Sequence, residues 1–227
     1  MASLYIVATP IGNLEDISFR AVKFLKEEVS IIFAEDTRVT RRLLDRYDIS
    51  TPVESLNART EKDKTPQVIF KLKNDSDVAF VTDAGTPGIS DPGRYLVDVV
   101  RNELPDINVI SIPGPSALTS AISISGLRLD EFVFYGFLPH KKGRQTKLKE
   151  IVESEKSCVL YESPHRVMKL LEYFKDNLKN ERTIFIAREL TKIHEESVRG
   201  STEDVLDYYS ENPDKVKGEF VVIVSKD

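Results

Sequence analysis

The sequence predicts an α/β protein of two domains, and three observations carry that reading. In the first half, five short apolar runs alternate with amphipathic stretches of helical period, the pattern of a mostly parallel sheet with helices on both faces. The apolar runs break abruptly into Gly, Pro and Asp, as buried strands do where they hand over to loops. After Gly126 the alternation loosens: several strand-like runs succeed one another with few crossover helices, which predicts a mixed sheet. The expected domains are 1–115 and 116–227.

Taken in order, Leu4–Ala8 reads as a strand that runs into the loop Thr9–Asn13, after which Asp16 opens a helix with Ile17, Ala21, Phe24 and Leu25 on one face. Ile31–Ala34 is the next buried strand and ends in Glu35-Asp36-Thr37-Arg38. The helix after it carries Leu43, Leu44 and Tyr47 inward, while Arg38, Arg42 and Arg46 recur every four residues as a basic stripe. Val53–Leu56 is a short strand, and Lys64–Lys73 a helix with Pro66 in its first turn. The run Val78–Val81 then opens into Asp83–Gly93, the densest turn signal in the chain. Asp91 is placed to cap the next helix, with Pro92 in its first turn. Ile107–Ile112 is the fifth strand and breaks at Pro113-Gly114-Pro115. Beyond it, Phe132–Gly136, Cys158–Tyr161, Thr183–Ala187, Glu195–Gly200 and Phe220–Val224 read as strands.

Composition sets limits on function. The chain has 227 residues, 41% hydrophobic and 30% charged, and a net charge of −5, so a nucleic-acid partner would have to use a local patch. No apolar run reaches membrane-spanning length, and Met1–Tyr5 lacks the basic start of an export signal, so the expectation is a cytoplasmic protein without membrane association. The single cysteine, Cys158, lies in an apolar run and is expected to be a buried thiol. The glycines never take the G-x-G-x-x-G spacing, and no P-loop, HExxH, CxxC or GxSxG is present. Three scattered histidines with one cysteine make no metal site. There remains a set of Pro/Gly-rich strand-end loops whose lining suits a cationic or dipolar small ligand better than a polyphosphate.

Those loops carry a resemblance. Ala8–Ser18 (ATPIGNLEDIS), Ala34–Arg38 (AEDTR), Asp83–Gly93 (DAGTPGISDPG), Pro113–Ala117 (PGPSA), Gly136–Pro139 (GFLP), Tyr161–Arg166 (YESPHR) and Lys217–Phe220 (KGEF) together resemble the tetrapyrrole methylase-like class of S-adenosylmethionine (SAM) methyltransferases, within it the enzymes of small-subunit ribosomal RNA. The match runs in order over essentially the whole chain. It implies two α/β domains of the tetrapyrrole methylase type with the ligand cleft between them, SAM as cofactor, and a homodimer. The implied reaction is methylation of the ribose 2′-oxygen of a cytidine in small-subunit (16S) rRNA, free or in the small ribosomal subunit.

Position by position, the resemblance assigns SAM binding to Gly85, Thr86 and Ile89 and to Ser116 and Ala117. It extends, by looser matches, to Pro10, Ile11, Tyr161, Glu162, Glu189 and Gly218. Where many relatives have Gly-Asp-Pro this chain has Gly85-Thr86-Pro87, so no role of that carboxylate carries over. A ribose hydroxyl is a weak acid, and a positioned base assists its attack. The candidates are Glu35 and Asp36 at a strand end with Arg38 beside them; the competing reading is that Asp36 or Thr37 caps the next helix and Arg38 pairs with Glu35. His165 is an alternative base, and His140 and His194 are expected to be surface or RNA-contact residues. Arg42 and Arg46 with Lys141, Lys142 and Arg144 form the expected RNA-binding surface. Two other functions stay open on the sequence alone: a SAM enzyme acting on a small molecule such as a tetrapyrrole, and a non-catalytic RNA-binding protein.

Overall fold

The computed structural model describes residues 2–178 and 182–226. It forms two compact units, Met1–Ser116 and Ala117–Asp227. In the first, strands β1 (Ser3–Val7), β2 (Ile31–Ala34), β3 (Val53–Ser55), β4 (Val78–Val81) and β5 (Asn108–Ile112) make one sheet in the order β3-β2-β4-β1-β5. All its pairings are parallel. Every residue of β2 and β4 is buried, because helices cover both faces.

The period of two along these strands sorts their side chains. Ile32, Ala34, Ala79 and Val81 pack against Ala21 and Leu25 of the α1 segment (α1, Phe19–Lys23, continued by a wide turn through Glu28) and Leu43 and Leu44 of α2 (Thr37–Arg46). Ile31, Phe33, Val78 and Phe80 face the other way, onto Val68, Ile69 and Leu72 of α3 (Glu61–Lys73) and Leu96 and Val100 of α4 (Arg94–Glu103). Adjacent strands β1 and β4 therefore send their chains to opposite faces. In an open α/β sheet this is the topological switch point, where a crevice opens outside the strands' carboxyl ends.

Three helix starts differ from the sequence expectation. Ser18, not Asp16, caps α1, its Oγ accepting from Ala21 N at 3.1 Å. α3 begins at Glu61, so Pro66 lies inside the helix and not in its first turn. α4 is not capped by Asp91: its cap is Gly93, at φ +117°, where a Cβ would stand 2.7 Å from the Phe80 ring. The acceptor for its free amides comes from Glu61, whose Oε1 takes Gly93 N at 2.9 Å and Leu96 N at 3.1 Å. Glu61→Ala is expected to lower stability by about 1 kcal/mol, the usual worth of a cap, read as a fall in the urea midpoint.

In the second unit β6 (Phe132–Phe137), β7 (Ser157–Glu162), β8 (Ile184–Arg188), β9 (Glu196–Gly200) and β10 (Phe220–Val224) are ordered β6-β7-β10-β8-β9. β6 and β7 are parallel and the remaining pairs antiparallel, so the sheet is mixed, as expected. Its core joins Leu160, Ile186 and Val222 to Leu148 and Ile151 of α6 (Arg144–Glu153), Leu170 and Phe174 of α7 (Pro164–Asn177) and Val205 and Tyr209 of α8 (Thr202–Glu211). A further helix, α5 (Ala117–Ser125), opens the unit. Cys158 is buried in β7. Among the described residues no helix is long and apolar enough to cross a membrane.

Candidate functional site

The carboxyl ends of β1, β2, β4 and β5 bring the first group of expected residues together. Thr9 and Gly85 exchange both backbone hydrogen bonds at 3.0 Å, tying the loop after β1 to the loop after β4 across the switch point. Thr9 Oγ1 donates to Thr82 O at 3.0 Å, and Thr86 Oγ1 donates to Pro115 O at 3.1 Å, which adds the loop after β5. Gly85 lies at φ +81° in this knot; a Cβ there would be 3.3 Å from Ile11 Cγ2 and 3.6 Å from Pro115 O. The approach of three loops is thus set by a residue without a side chain. Pro10, Ile11 and Gly85 are buried, Thr86 and Ser116 partly so, and Gly88 and Ile89 are placed at the lip, Ile89 exposed. The backbone groups expected to face a ligand are partly spent inside the knot: the amide and carbonyl of Gly85 and the carbonyl of Pro115 all hold loop to loop.

Beside the knot stands an acidic group. Asp36 N donates to Asp83 Oδ1 at 2.9 Å, and Asp83 N donates to Glu35 Oε2 at 3.4 Å, so the ends of β2 and β4 grip each other through side chains. Burial, aided by the nearby Asp83 charge, pushes the Glu35 carboxyl above the ordinary carboxylate range. Burial does the same to Asp83. Asp36 goes the other way. Its Oδ1 takes the amide of Arg38 at 2.8 Å as the N-cap of α2, its Oδ2 pairs with Arg38 Nη2 at 2.6 Å, and the Arg38 guanidinium lowers its pKa to about 2. Of the expected pair, Asp36 is the capping residue and Glu35 the stronger base. Arg38 pairs with Asp36, not Glu35, and the rest of its side chain projects into solvent. Asp83 is a site residue that the sequence does not single out; its one signal is its place in the first turn after the buried strand β4.

The second group gathers in the other unit, where β7 and β8 end and β10 begins. Phe220 pairs with both Glu162 and Arg188 there. Gly218 (φ +85°) and Glu189 (φ +50°) touch: a Cβ on Gly218 would collide with the Glu189 side chain. Glu189 Oε1 accepts from Glu219 N at 2.9 Å and Lys192 Nζ at 2.8 Å. Tyr161 lies at the end of β7, and Ala117 is the first residue of α5. Glu162, fully buried, spends its carboxylate internally: Oε2 on Arg144 Nη2 at 2.8 Å, and Oε1 on Arg166 Nη2 and Ser163 N, each at 2.8 Å.

That pairing corrects one part of the expected RNA surface. The Arg144 side chain is only 14% exposed and serves the Glu162 ion pair, unlike Lys141 and Lys142, which are exposed. Arg42 is exposed on α2, and Arg46 is exposed with a long contact of 3.6 Å to Glu15. No cluster of metal-binding side chains occurs among the described residues.

The model of the tetrapyrrole (corrin/porphyrin) methylases matches residues 3–206. The chain is 44% identical over 226 residues to ribosomal RNA small subunit methyltransferase I of Synechocystis, covering 99% of this chain and 79% of that protein. It is 44% identical to the protein of the same name from Thermotoga maritima, covering 99% of each. The chain belongs to the tetrapyrrole methylase family, in its ribosomal RNA small subunit methyltransferase I branch. Among solved structures, the methyltransferase CobJ superposes with a TM-score of 0.71 at 17% identity, covering 99% of this chain and 94% of that one. Uroporphyrin-III-C-methyltransferase from Thermus thermophilus gives 0.63 at 17%, covering 100% and 95%. Identities this low speak for the tetrapyrrole methylase fold alone. Asp83 and Gly85 to Gly93 of the knot all fall inside the segment that the family model matches.

Proposed function

We propose that this chain transfers a methyl group from SAM to the ribose 2′-oxygen of a cytidine in small-subunit (16S) rRNA. The observation that carries the reading is the near-complete match, at 44% identity, to two proteins from distant bacteria that share the name ribosomal RNA small subunit methyltransferase I. The site chemistry supports it. From Asp83 to Gly93 the loop holds two carboxylates and no cationic residue, and Glu35 and Asp36 stand beside it, so the strand ends favour a positively charged ligand over a polyphosphate. SAM fits that setting, and when bound it supplies a methyl group activated on a sulfonium. Gly85, Thr86 and Ile89 with Pro10, Ile11 and Ser116, all at the strand ends of the first unit, would hold it.

The chain's own residues have two tasks. One is alignment: a knot of three loops fixed by Thr9, Gly85 and Thr86 presents a rigid rim, and fixing two reactants in line removes up to about 7–11 kcal/mol of barrier in ideal cases. The other is the proton. Glu35 takes it from the ribose hydroxyl through the carboxylate that burial and Asp83 make more basic. Arg38, anchored by Asp36 and otherwise exposed, meets an RNA phosphate, as do Arg42 and Arg46. A cytoplasmic homodimer acting on rRNA in the small ribosomal subunit, without a membrane, completes the proposal. The test is incubation with tritiated SAM and small subunits from cells lacking the protein. Label in rRNA is the expected result; label only in an added tetrapyrrole would replace the substrate, and none in either would remove the enzyme.

A further inference from the structure

Edge strand β6 carries a bulge whose effect is to aim one ring outward. Phe132, Val133 and Phe134 pair in regular parallel register with Ser157, Cys158 and Val159; the register then shifts, and Phe137 stands opposite Tyr161. Three residues of β6 thus answer two of β7, with Gly136 at φ +59° inside the shift. In an unbroken strand Phe134 and Phe137, three apart, would face opposite sides of the sheet. The bulge puts both on Tyr161, at centroid distances of 5.1 and 5.4 Å. Phe137 ends this row of three rings and remains 55% exposed.

The segment after Phe137 is held in place from below. Arg166 Nη1 donates to Leu138 O at 2.9 Å, and Glu162 binds both Arg166 and Arg144, which anchor the loop at its two ends. That loop displays His140, Lys141 and Lys142 to solvent. From Phe137 to Lys149 the sequence has five Lys or Arg residues and no acidic one. An exposed aromatic ring backed by a second ring, next to exposed cations, matches the two chemistries of an unpaired nucleotide: a base to stack and a phosphate to neutralise.

We propose that Phe137, supported by Tyr161, is a stacking platform for an unpaired nucleobase of the RNA substrate, with Lys141 and Lys142 taking the neighbouring phosphates. The inference rests on RNA being the substrate. It adds a base-contacting site to that reading, distinct from the transfer centre at the ends of β2 and β4.

The chain contains no tryptophan, so Phe137→Trp places a single reporter on the platform while keeping an aromatic face. Titration with an unpaired ten-nucleotide RNA is expected to quench its emission. An RNA of the same length with its bases removed is expected to bind without quenching. Phe137→Ala is expected to raise KM for small ribosomal subunits roughly 5- to 100-fold, the usual cost of losing one stacked base, with KM for SAM unchanged and with Phe137→Tyr close to wild type. Equal quenching by the base-free RNA would overturn the platform and leave only a phosphate contact. A change of sedimentation in Phe137→Ala would overturn it in favour of a contact between copies of the chain. Methyl transfer to small subunits by the Trp variant without RNA quenching would overturn the platform alone; absence of transfer by the wild type would overturn the substrate reading beneath it.

Discussion

Glu35→Gln is expected to lower kcat for methyl transfer by about 10²–10⁴-fold, the span of general-base catalysis, while leaving KM for SAM near wild type. The side chain keeps its size and its contact with Asp83 N, so the grip between the ends of β2 and β4 survives. Only the proton acceptor is removed. Asp36→Asn is expected to do less to kcat, because a carboxylate whose pKa is held near 2 by Arg38 is a poor base at neutral pH. The pH profile carries the same signature. Burial raises the Glu35 pKa above its ordinary value of 4.5, so the acidic limb of kcat falls as pH drops through that raised value and is missing in Glu35→Gln. Stability has the opposite sign. A carboxyl with a raised folded pKa binds its proton more tightly in the folded state, so its ionised form costs stability above that pKa and none below 4.5. Glu35→Gln is therefore expected to be no less stable than wild type at pH 7, by thermal unfolding. An equal kcat in the two proteins would remove Glu35 from the reaction.

Glu162→Ala is expected to be the most damaging single change for folding, costing about 3–5 kcal/mol in urea unfolding. The carboxylate is wholly buried, and its removal strands Arg144 and Arg166, whose side chains are only 14% and 15% exposed. Two desolvated cations then face each other with their shared anion gone. The loss also removes the anchor of Arg166, which holds Leu138 O next to the Phe137 platform, so affinity for RNA is expected to fall along with stability. If Glu162 bound SAM instead, Glu162→Gln would weaken SAM binding with little change in the urea midpoint; loss of stability with SAM affinity kept is the expected outcome.

Much of this was legible in the chain because it was written locally. A run such as Ile31–Ala34 needs no partner to declare itself a buried strand, and Asp83–Gly93 announces a loop wherever it occurs. The mixed second sheet was also foreseeable, from strands too close in sequence for crossover helices. The features that escaped were long-range. The cap of α4 comes from Glu61, 32 residues before Gly93, so the nearby Asp91 looked like the better candidate. Glu35 and Asp83 are 48 residues apart and meet only because β2 and β4 are neighbours in a parallel sheet, which is why Asp83 was passed over. Arg144 stands in the basic run expected to meet RNA, and only the fold shows a buried carboxylate beneath it. Pro66 inside α3 misled for the opposite reason: it marks a first turn by statistics, and here the helix runs through it.

The most direct measurement of the central claim is the position of the methyl group. Small-subunit rRNA labelled by the wild-type protein with tritiated SAM is hydrolysed in alkali, which cuts only where the 2′-hydroxyl is free. The account predicts label in a single alkali-resistant dinucleotide beginning with cytidine, and almost none when Glu35→Gln is used; label on mononucleotides, or the same label from both proteins, would contradict it.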